Sequence, residues 1–429
     1  MSFLLICFVV FIILGMPIAF VIGIAGMAYF GATPILPFEI VVQQIVSQSQ
    51  SFAFLAVPFF IFAGNLMNVS GITERLLGLA RLVTRRMYGG TAQISVVMST
   101  LMGGVSGSAT ADAAMETRIL GPEMMRLGYS KGYICAVNCI TALITATIPP
   151  SLGLIIFGFI GEVSIGRLFA AGIIPGILMM LFLMTTTTIT SRIRRYDPPK
   201  TDAPKLTVKE LLDNLKESIW ALLFPVILII GIRFGVFTPS ESGAFAVAYA
   251  LIIGKFVYKE LTWAKFKEAL VMSFKDNGAI MLIIAMSGPF SYAITWVRLP
   301  IAMSNMIFGI TDNPQLLTLI MLGFLFISGM FVDSNVNFLL LTPIFLPMVT
   351  SVGMDPVHFG VLMATIVTLG VMTPPIGSAL YTVCGIIGCP PEEYTKASLP
   401  FLVAVLLELA ILVFLPQVVL WIPNMIFGP

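Results

Sequence analysis

Apolar stretches separated by short polar connections run along the whole chain, and their lengths predict helices that cross a membrane. About 20 consecutive apolar residues are enough to span the hydrocarbon core of a bilayer. Spans are predicted at residues 2–30, 52–67, 168–189, 219–237, 244–258, 279–297 and 399–421. The pattern therefore predicts an all-α polytopic membrane protein.

Several polar segments interrupt this pattern. Residues 71–87 alternate arginines with leucines, which is typical of an amphipathic helix in the membrane interface on the cytoplasmic side. Residues 191–217 carry seven basic residues and are predicted to be a cytoplasmic linker between two halves of the chain. Residues 43–50, rich in glutamine, are predicted to be a connection, and residues 299–310 a short amphipathic stretch.

A proline pair breaks one of the apolar segments, Thr145–Gly153. Pro149 and Pro150 both lack a backbone donor, and Pro150 also excludes Pro149 from the helical region, so no continuous helix can pass. Inside a bilayer, broken backbone is tolerated only where it is buried in protein or lines a polar cavity. The break therefore indicates a binding site.

The same pattern recurs 225 residues later, where Pro374 and Pro375 break a second apolar segment. All four prolines between residues 101 and 176 coincide with prolines at this shift, whereas about 0.4 matches are expected by chance. Two glycine pairs coincide as well: Gly104 with Gly329, and Gly128 with Gly353. The chain is therefore predicted to contain an internal repeat.

An interrupted apolar segment precedes each break. Residues 93–123 are divided by the glycine- and serine-rich run Gly103–Asp112, and residues 316–349 are divided around Ser328–Asn337. Both are predicted to be re-entrant helical hairpins with tips inside the bilayer. The predicted divisions are scaffold residues 1–90, a first transport repeat 91–166, a span, linker and second scaffold 167–310, a second transport repeat 311–398, and a last span 399–429.

The distribution of charge predicts how the two repeats are related. Residues 70–131 carry seven Lys or Arg residues, whereas the equivalent residues 295–356 carry one, Arg298. Because basic residues favour the cytoplasmic side, the repeats are predicted to have inverted topology. Inverted repeats with discontinuous helices are typical of secondary transporters that bind their substrate near the bilayer midplane.

Composition agrees with a membrane protein and excludes other classes. The chain is 58% hydrophobic and 10% charged, with a mean hydropathy of +1.02. A net charge of +2 argues against a nucleic-acid partner. The five cysteines are interpreted as small buried apolar groups, because no His or third Cys near Cys135 and Cys139 completes a metal site.

These motifs together resemble the large membrane subunit of the tripartite ATP-independent periplasmic (TRAP) transporters. The resemblance rests on GGVSGSATADAAMETRILGPEM, TATIPPS, the later DSN and TPPIG, and it covers essentially the whole chain. It implies an elevator-type, sodium-coupled carrier of the bacterial inner membrane. Organic acids would come from a periplasmic substrate-binding protein, and a small four-helix membrane subunit would come from another chain. Sialic acid is favoured over C4-dicarboxylates.

Two pseudo-symmetric sodium sites are predicted at the two breaks, because Na⁺ is well bound by freed carbonyls and hydroxyls. At the first break the candidates are Thr145, Thr147 and the Ile148 carbonyl, facing Ser106, Gly107 and Ser108. At the second they are Gly370, Met372 and Thr373, facing Gly329 and Asp333. The alternative is that these small residues only let the helices pack closely.

An anionic substrate is predicted to bind between the hairpin tips, where helix N-termini supply partial positive charge. The candidate ligands are Ser106, Ser151, Asn335 and Asp333. The role of Asp112 stays open, and Glu116, Arg118 and Glu123 are expected to pair locally at the hairpin base. With no arginine evident at the midplane, bound sodium would supply the positive charge.

Other functions fit the sequence less well. A stand-alone sodium- or proton-coupled carboxylate transporter is the main alternative. His358, the one histidine, is interpreted as an interfacial residue rather than a proton relay. The sequence shows no rings of charged residues of the kind that line ion channels, which argues against a channel. Its one histidine lies far in sequence from the serine-rich runs, which argues against an enzyme.

Overall fold

The computed structural model describes residues 2–33, 35–50, 55–199, 207–299, 301–303, 309 and 313–428. These residues form helices joined by turns, without a β-strand among them. Seven of their helices are long and apolar enough to cross a membrane, or up to nine if each of two bent pairs counts as one span. The predicted class, an all-α multi-pass membrane protein, is confirmed.

The N-terminal part differs from the prediction at two places. Residues 2–30 are not one span but two helices, α1 (Ser2–Ile13) and α2 (Ile18–Ala32). Gly15 between them has a φ of +74°, and Pro17 has no backbone donor, so the helix ends there. The glutamine-rich segment predicted as a connection is helix α3 (Glu39–Gln50).

The amphipathic segment is helix α5 (Ile72–Thr84), bent by 65° from α4 (Ala56–Val69). Its apolar face is buried, and three of its arginines form ion pairs with other parts of the chain. These pairs are Arg75–Glu260 at 2.7 Å, Arg81–Glu123 at 2.7 Å and Arg85–Glu210 at 2.9 Å. Because all three pairs are partly exposed, each contributes at most about 1 kcal/mol.

The first hairpin consists of α6 (Gly90–Gly103) and α7 (Ala109–Arg126). The first broken helix follows as α8 (Lys131–Thr141), α9 (Leu143–Thr147) and, beyond a 43° bend, α10 (Leu152–Ile160). The break contains a cis peptide bond between Pro149 and Pro150. Helix α11 (Ile165–Arg194) then crosses the molecule.

The second half contains the same succession of elements. The second hairpin is α15 (Pro314–Phe331) and α16 (Ser334–Ser351), and the second broken helix is α17 (Pro356–Val371) and α18 (Ser378–Ile387), with a cis bond between Pro374 and Pro375. Helices α7 and α16 begin at residues 109 and 334 and end at 126 and 351, a shift of 225 at both ends. The spacing of the repeated motifs thus recurs in the helix bounds.

The remaining helices extend beyond the predicted apolar cores. They are α12 (Val208–Arg233), α13 (Pro239–Ile252) with a π-helical turn at Ile253–Val257, α14 (Trp263–Trp296), α19 (Pro391–Phe414) and α20 (Pro416–Phe427). The predicted linker is therefore shorter, since α11 and α12 enter it from both sides. Residues 200–206 of the linker, and residues 300, 304–308 and 310 of the amphipathic stretch, lie outside the described residues.

The predicted last span, residues 399–421, is divided into α19 and α20, and a histidine supports the end of α19. The natural partner of the Leu412 carbonyl is the N–H four residues later, but that residue is Pro416. The Nε2 atom of His358 lies 2.8 Å from this carbonyl oxygen and donates to it in the tautomer that carries a proton there. His358 is 2% exposed, so it satisfies a buried acceptor.

Replacing His358 by Phe is therefore expected to destabilise the protein by about 1–3 kcal/mol, because the Leu412 carbonyl loses its donor in an apolar environment. His358→Gln keeps a donating amide and should lose less. Thermal unfolding of the detergent-purified protein measures both changes. Equal unfolding temperatures for the wild type and the Phe variant would contradict this role.

Candidate functional site

The first helix break is held together by one serine and one hairpin carbonyl. The Ser151 hydroxyl donates to the Ala146 carbonyl at 2.5 Å and accepts from the Leu154 N–H at 3.4 Å, so it joins the two halves of the broken helix. The Leu152 N–H donates to the Gly107 carbonyl at the tip of the first hairpin, at 3.4 Å. The break and the tip therefore satisfy each other's backbone groups.

The second break is arranged in the same way. The Gly377 N–H, equivalent to that of Leu152 by the 225-residue shift, donates to the Met330 carbonyl in the second hairpin at 3.0 Å. The Thr373 hydroxyl donates to the Leu369 carbonyl at 2.7 Å. The Met372 carbonyl accepts from the Tyr394 hydroxyl at 2.6 Å. The second break thus also contacts its own hairpin through the backbone.

Two glycines allow these close approaches. Gly107 has a φ of +68°, and a Cβ atom there would overlap the Pro150 carbonyl oxygen. A Cβ atom on Gly370 would lie 2.7 Å from the Gly329 Cα atom, so those two helices cross backbone to backbone. A side chain at either position would separate the hairpin from the break.

A cavity of about 100 Å³ lies between the two hairpin tips and the first break. Three helices begin at it: α7 contributes Ala109 and Thr110, α10 contributes Leu152 and Gly153, and α16 contributes Ser334 and Asn335. Helix N-termini carry unpaired N–H groups and a partial positive charge. No Lys or Arg from the described part of the chain lines the cavity, so these three N-termini are its source of positive potential.

One carboxylate faces this positive potential. Asp333 lines the cavity and caps α16, where its Oδ1 atom accepts from the Asn335 N–H at 2.9 Å. The side chain is exposed rather than buried. An anion entering the cavity would meet the Asp333 carboxylate as well as the three helix N-termini.

The structure brings part of the predicted substrate site together. Asp333 and Asn335 line the cavity, whereas Ser106 and Ser151 are buried beside lining residues of the first tip and the first break. The hydroxyl of Ser151 is already bonded to both halves of the broken helix. Sequence reasoning missed three polar residues that line the cavity, namely Thr110, Ser334 and Thr368.

The predicted sodium ligands lie at the two breaks. Gly107 and Ser108 line the cavity, and the Thr145 hydroxyl, fully buried, donates to the Ser99 carbonyl at 3.3 Å. Ile148 lies beside the first hairpin, because a Cβ atom on Gly103 would be 2.7 Å from its Cβ atom. At the second break Gly370, Met372 and Thr373 are buried, and Gly370 lies against Gly329 of the second hairpin.

The expected local pairing at the base of the first hairpin is wrong for Glu116. Glu123 does form an ion pair, but with Arg81 of α5. Glu116 is buried, and its two oxygens accept from the hydroxyls of Ser95 at 2.7 Å and Ser99 at 2.8 Å. It therefore belongs to a polar cluster inside the hairpin, which spacing in α7 alone does not reveal.

Four of the five cysteines are buried, as interpreted, and three of them lie close together in a way that their spacing in the sequence does not show. The Sγ atom of Cys135 lies within 4.8 Å of the Sγ atoms of Cys384 and Cys389, which are remote in sequence. Cys135 therefore has two other cysteines close to it in space, and Cys139 is not part of this group. The thiols of Cys135 and Cys389 donate to backbone carbonyls at 3.6 and 3.4 Å. These are the contacts of neutral buried thiols.

Two helical hairpins that meet two broken helices around a small polar cavity, in a chain with at least seven helices apolar enough to cross a membrane, are typical of a multi-pass membrane transport protein. The family described as "Tripartite ATP-independent periplasmic transporter, DctM component" matches residues 5–418, and the chain belongs to this family. It is a large permease subunit of a secondary transporter, not an enzyme. The family implies work with a small membrane subunit and a periplasmic binding protein.

Relatives in this family have different substrates in their names. The chain is 34% identical over 412 residues to a putative TRAP transporter large permease protein of Haemophilus influenzae, covering 95% of each chain. It is 34% identical to the sialic acid permease SiaM of Vibrio cholerae, covering 96% of each chain, and 32% identical to the 2,3-diketo-L-gulonate permease YiaN of Escherichia coli, covering 95% of each.

A solved structure has a similar fold. The YdaH transporter of Alcanivorax borkumensis superposes with a TM-score of 0.59, over 88% of this chain and 87% of that one. The two sequences are 13% identical, so the likeness concerns the fold alone.

Gly107→Ala is expected to lower the thermal stability more than Gly128→Ala. Both glycines have left-handed φ angles, +68° and +83°, so each substitution carries strain of about 1–2 kcal/mol. Only at Gly107 would the new methyl group also overlap the Pro150 carbonyl oxygen, because a Cβ atom on Gly128 would have no described heavy atom beyond its chain neighbours within 4 Å. Thermal unfolding of the two purified variants tests this, and an equal loss would mean that the tip does not depend on this contact.

Proposed function

We propose that the chain imports an organic acid together with sodium ions across the bacterial inner membrane, by an elevator mechanism. A periplasmic substrate-binding protein delivers the acid, and a small four-helix membrane subunit completes the carrier. Sialic acid is the favoured substrate, with a C4-dicarboxylate next. The main support is the cavity on which the N-termini of α7, α10 and α16 converge.

The chemistry of this cavity favours an anion that binds together with a cation. Three helix N-termini attract a carboxylate, and polar groups such as Asn335 and Thr368 can bond its oxygens. Asp333 opposes the same anion unless its charge is neutralised. A sodium ion bound beside Asp333 removes this repulsion, so that cation and acid bind together, which is the basis of symport.

The small volume of the cavity supports a mechanism in which the two hairpin tips move apart. The cavity of about 100 Å³ is smaller than pockets for small organic ligands, which measure about 300–1,000 Å³. The two hairpin tips must therefore separate before a sugar acid can enter.

Small residues let the first tip lie close to other helices. A Cβ atom on Gly64 of α4 would be 3.2 Å from the Ser106 carbonyl oxygen, and one on Gly104 would be 2.8 Å from Pro225 of α12. Helices in contact through such residues present smooth surfaces to each other. We infer that α4 and α12 belong to the scaffold along which the hairpins move.

Uptake of labelled sialic acid and of a C4-dicarboxylate into proteoliposomes tests the proposal. The chain and its small subunit are reconstituted with or without the binding protein, and with an inward sodium or potassium gradient. Uptake that requires both sodium and the binding protein is expected. Uptake without the binding protein would identify a stand-alone carrier, and uptake without sodium would overturn sodium coupling.

Asp333→Asn is expected to lower sodium-dependent uptake roughly tenfold or more, because loss of a charge-assisted contact costs about 1.5–3 kcal/mol. Asn also caps helices well, so α16 should persist. The matched control is Asp355→Asn, which changes the aspartate that caps α17 away from the cavity, through the Val357 N–H at 2.7 Å. Equal uptake by both variants would exclude Asp333 from the site.

A further inference from the structure

Three buried cysteines form a cluster that does not line the cavity. The Sγ atoms of Cys135, Cys384 and Cys389 all lie within 4.8 Å of one another, and the three thiols are free. These residues are 0%, 3% and 6% exposed, respectively. No His, Asp or Glu from the described part of the chain belongs to the group. The cluster therefore presents an all-sulfur set of possible ligands.

The end of α18 places two of these thiols side by side. Gly388 follows the helix with a φ of +66°, and the Cys389 N–H turns back to donate to the Cys384 carbonyl at 3.0 Å. This is the Schellman arrangement, which ends many helices and uses a left-handed residue, most often glycine. The backbone of the turn therefore fixes Cys389 beside Cys384.

The third thiol comes from the other repeat. Cys135 lies near the start of α8, and its thiol donates to the Val383 carbonyl of α18 at 3.6 Å. The backbones are close here, because a Cβ atom on Gly132 of α8 would lie 2.6 Å from the Glu393 carbonyl oxygen at the start of α19. The cluster therefore joins the first broken helix to the second.

The spacing of the sulfurs suits a thiophilic metal ion. With a metal–sulfur distance of about 2.3 Å, three thiolates around one ion lie roughly 3.8–4.0 Å apart. The observed separations of 4.8 Å or less need only small rotations of the cysteine side chains to reach this geometry. Thiolate ligands select soft ions such as Zn²⁺ and Cu⁺, whereas Na⁺ and Mg²⁺ prefer oxygen.

The bonds that the thiols make without a metal are weak. Cys135 and Cys389 donate to backbone carbonyls at 3.6 and 3.4 Å, and a thiol is a poor donor. Binding of one Zn²⁺ by the three thiols forms three Zn–S bonds and releases three protons to the solvent, which leaves a net charge of −1. The ammonium group of Lys131 lies 3.2 Å from the Gly388 carbonyl oxygen, next to Cys389, and offsets this charge.

The cluster lies close to the surface of the protein. Gly385 and Gly388, which flank the cysteines of α18, are exposed. Lys131 belongs to the set of basic residues predicted to face the cytoplasm. In that reducing compartment, clustered cysteines more often bind metals than form disulfides. The thiols are therefore available to an ion that arrives from this side.

We propose that Cys135, Cys384 and Cys389 form a binding site for a thiophilic metal ion such as Zn²⁺. The ion joins the first repeat to the second, away from the cavity. Because this site exists only in the folded chain, the bound ion raises the stability of the protein. The site does not depend on the proposed sodium coupling or on the identity of the organic acid.

Zinc binding is measured on the purified, tag-free permease with its small subunit, kept reduced by a phosphine. Wild-type protein is expected to bind Zn²⁺ and to unfold at a higher temperature when Zn²⁺ is present. Cys135→Ser, Cys384→Ser and Cys389→Ser should each lower the zinc affinity by more than about tenfold, since even a change in an outer-shell partner of a metal ligand costs about 10–100-fold.

The matched control is Cys139→Ser. Cys139 is as buried as Cys135 and lies one turn further along α8, but it is not part of the cluster. This variant should keep the zinc response of the wild type. Serine can still donate to the backbone carbonyls, so the cluster variants should fold, and their unfolding without zinc checks this.

Titration of the wild type with Cd²⁺ gives a second readout that needs no variant. Cadmium–thiolate bonds absorb in the ultraviolet, whereas cadmium bound to carboxylates or imidazole does not absorb there. Saturable thiolate absorption is expected from the wild type.

A zinc response that is lost in the three cluster variants and kept in Cys139→Ser supports the site. Equal zinc affinities in the wild type and the cluster variants, or cadmium binding without thiolate absorption, would show that the cysteines are only buried apolar groups. The absence of any zinc response in the wild type would overturn the inference as well. None of these measurements involves uptake, so their failure is distinct from failure of the proposed function.

Discussion

Every backbone group at the two helix breaks must find a partner within the protein, because lipid offers none. The partners come from the hairpin tips: the Leu152 N–H donates to Gly107, and the Gly377 N–H donates to Met330. The Ser151 hydroxyl is hydrogen-bonded to both halves of the first broken helix. The hairpins and the broken helices therefore depend on each other, and the cavity exists where the first break meets both tips.

The site achieves its electrostatics with very few charges. Helix N-termini supply the positive potential of the cavity, and Asp333 of the second hairpin is the one carboxylate among its described lining residues. Helix dipoles attract an anion more weakly than a bidentate arginine side chain would. Such an arrangement suits a carrier, which must release its substrate after moving it.

Local sequence signals were sufficient wherever proline and glycine act on the backbone directly. Pro149, Pro150, Pro374 and Pro375 end helices whatever surrounds them, so the breaks and the hairpins before them could be predicted. The single span over residues 2–30 was wrong because apolar character does not show that Gly15 adopts a left-handed conformation. The helix over the glutamine-rich segment was missed because helix formation there depends on packing against other helices.

By itself, the sequence determined the membrane class, the repeated breaks, the family and the part of each hairpin that forms its tip, since these follow from hydropathy, proline chemistry and motif spacing. Only the tertiary structure decided which polar groups meet. In the folded chain the Ser151 hydroxyl bonds to backbone groups of the broken helix, and two serine hydroxyls donate to Glu116. The Asp112 carboxylate is buried with no hydrogen-bond donor among the described residues. The reason is that hydrogen-bond satisfaction depends on distances between segments far apart in the chain, which residue types and spacing do not contain.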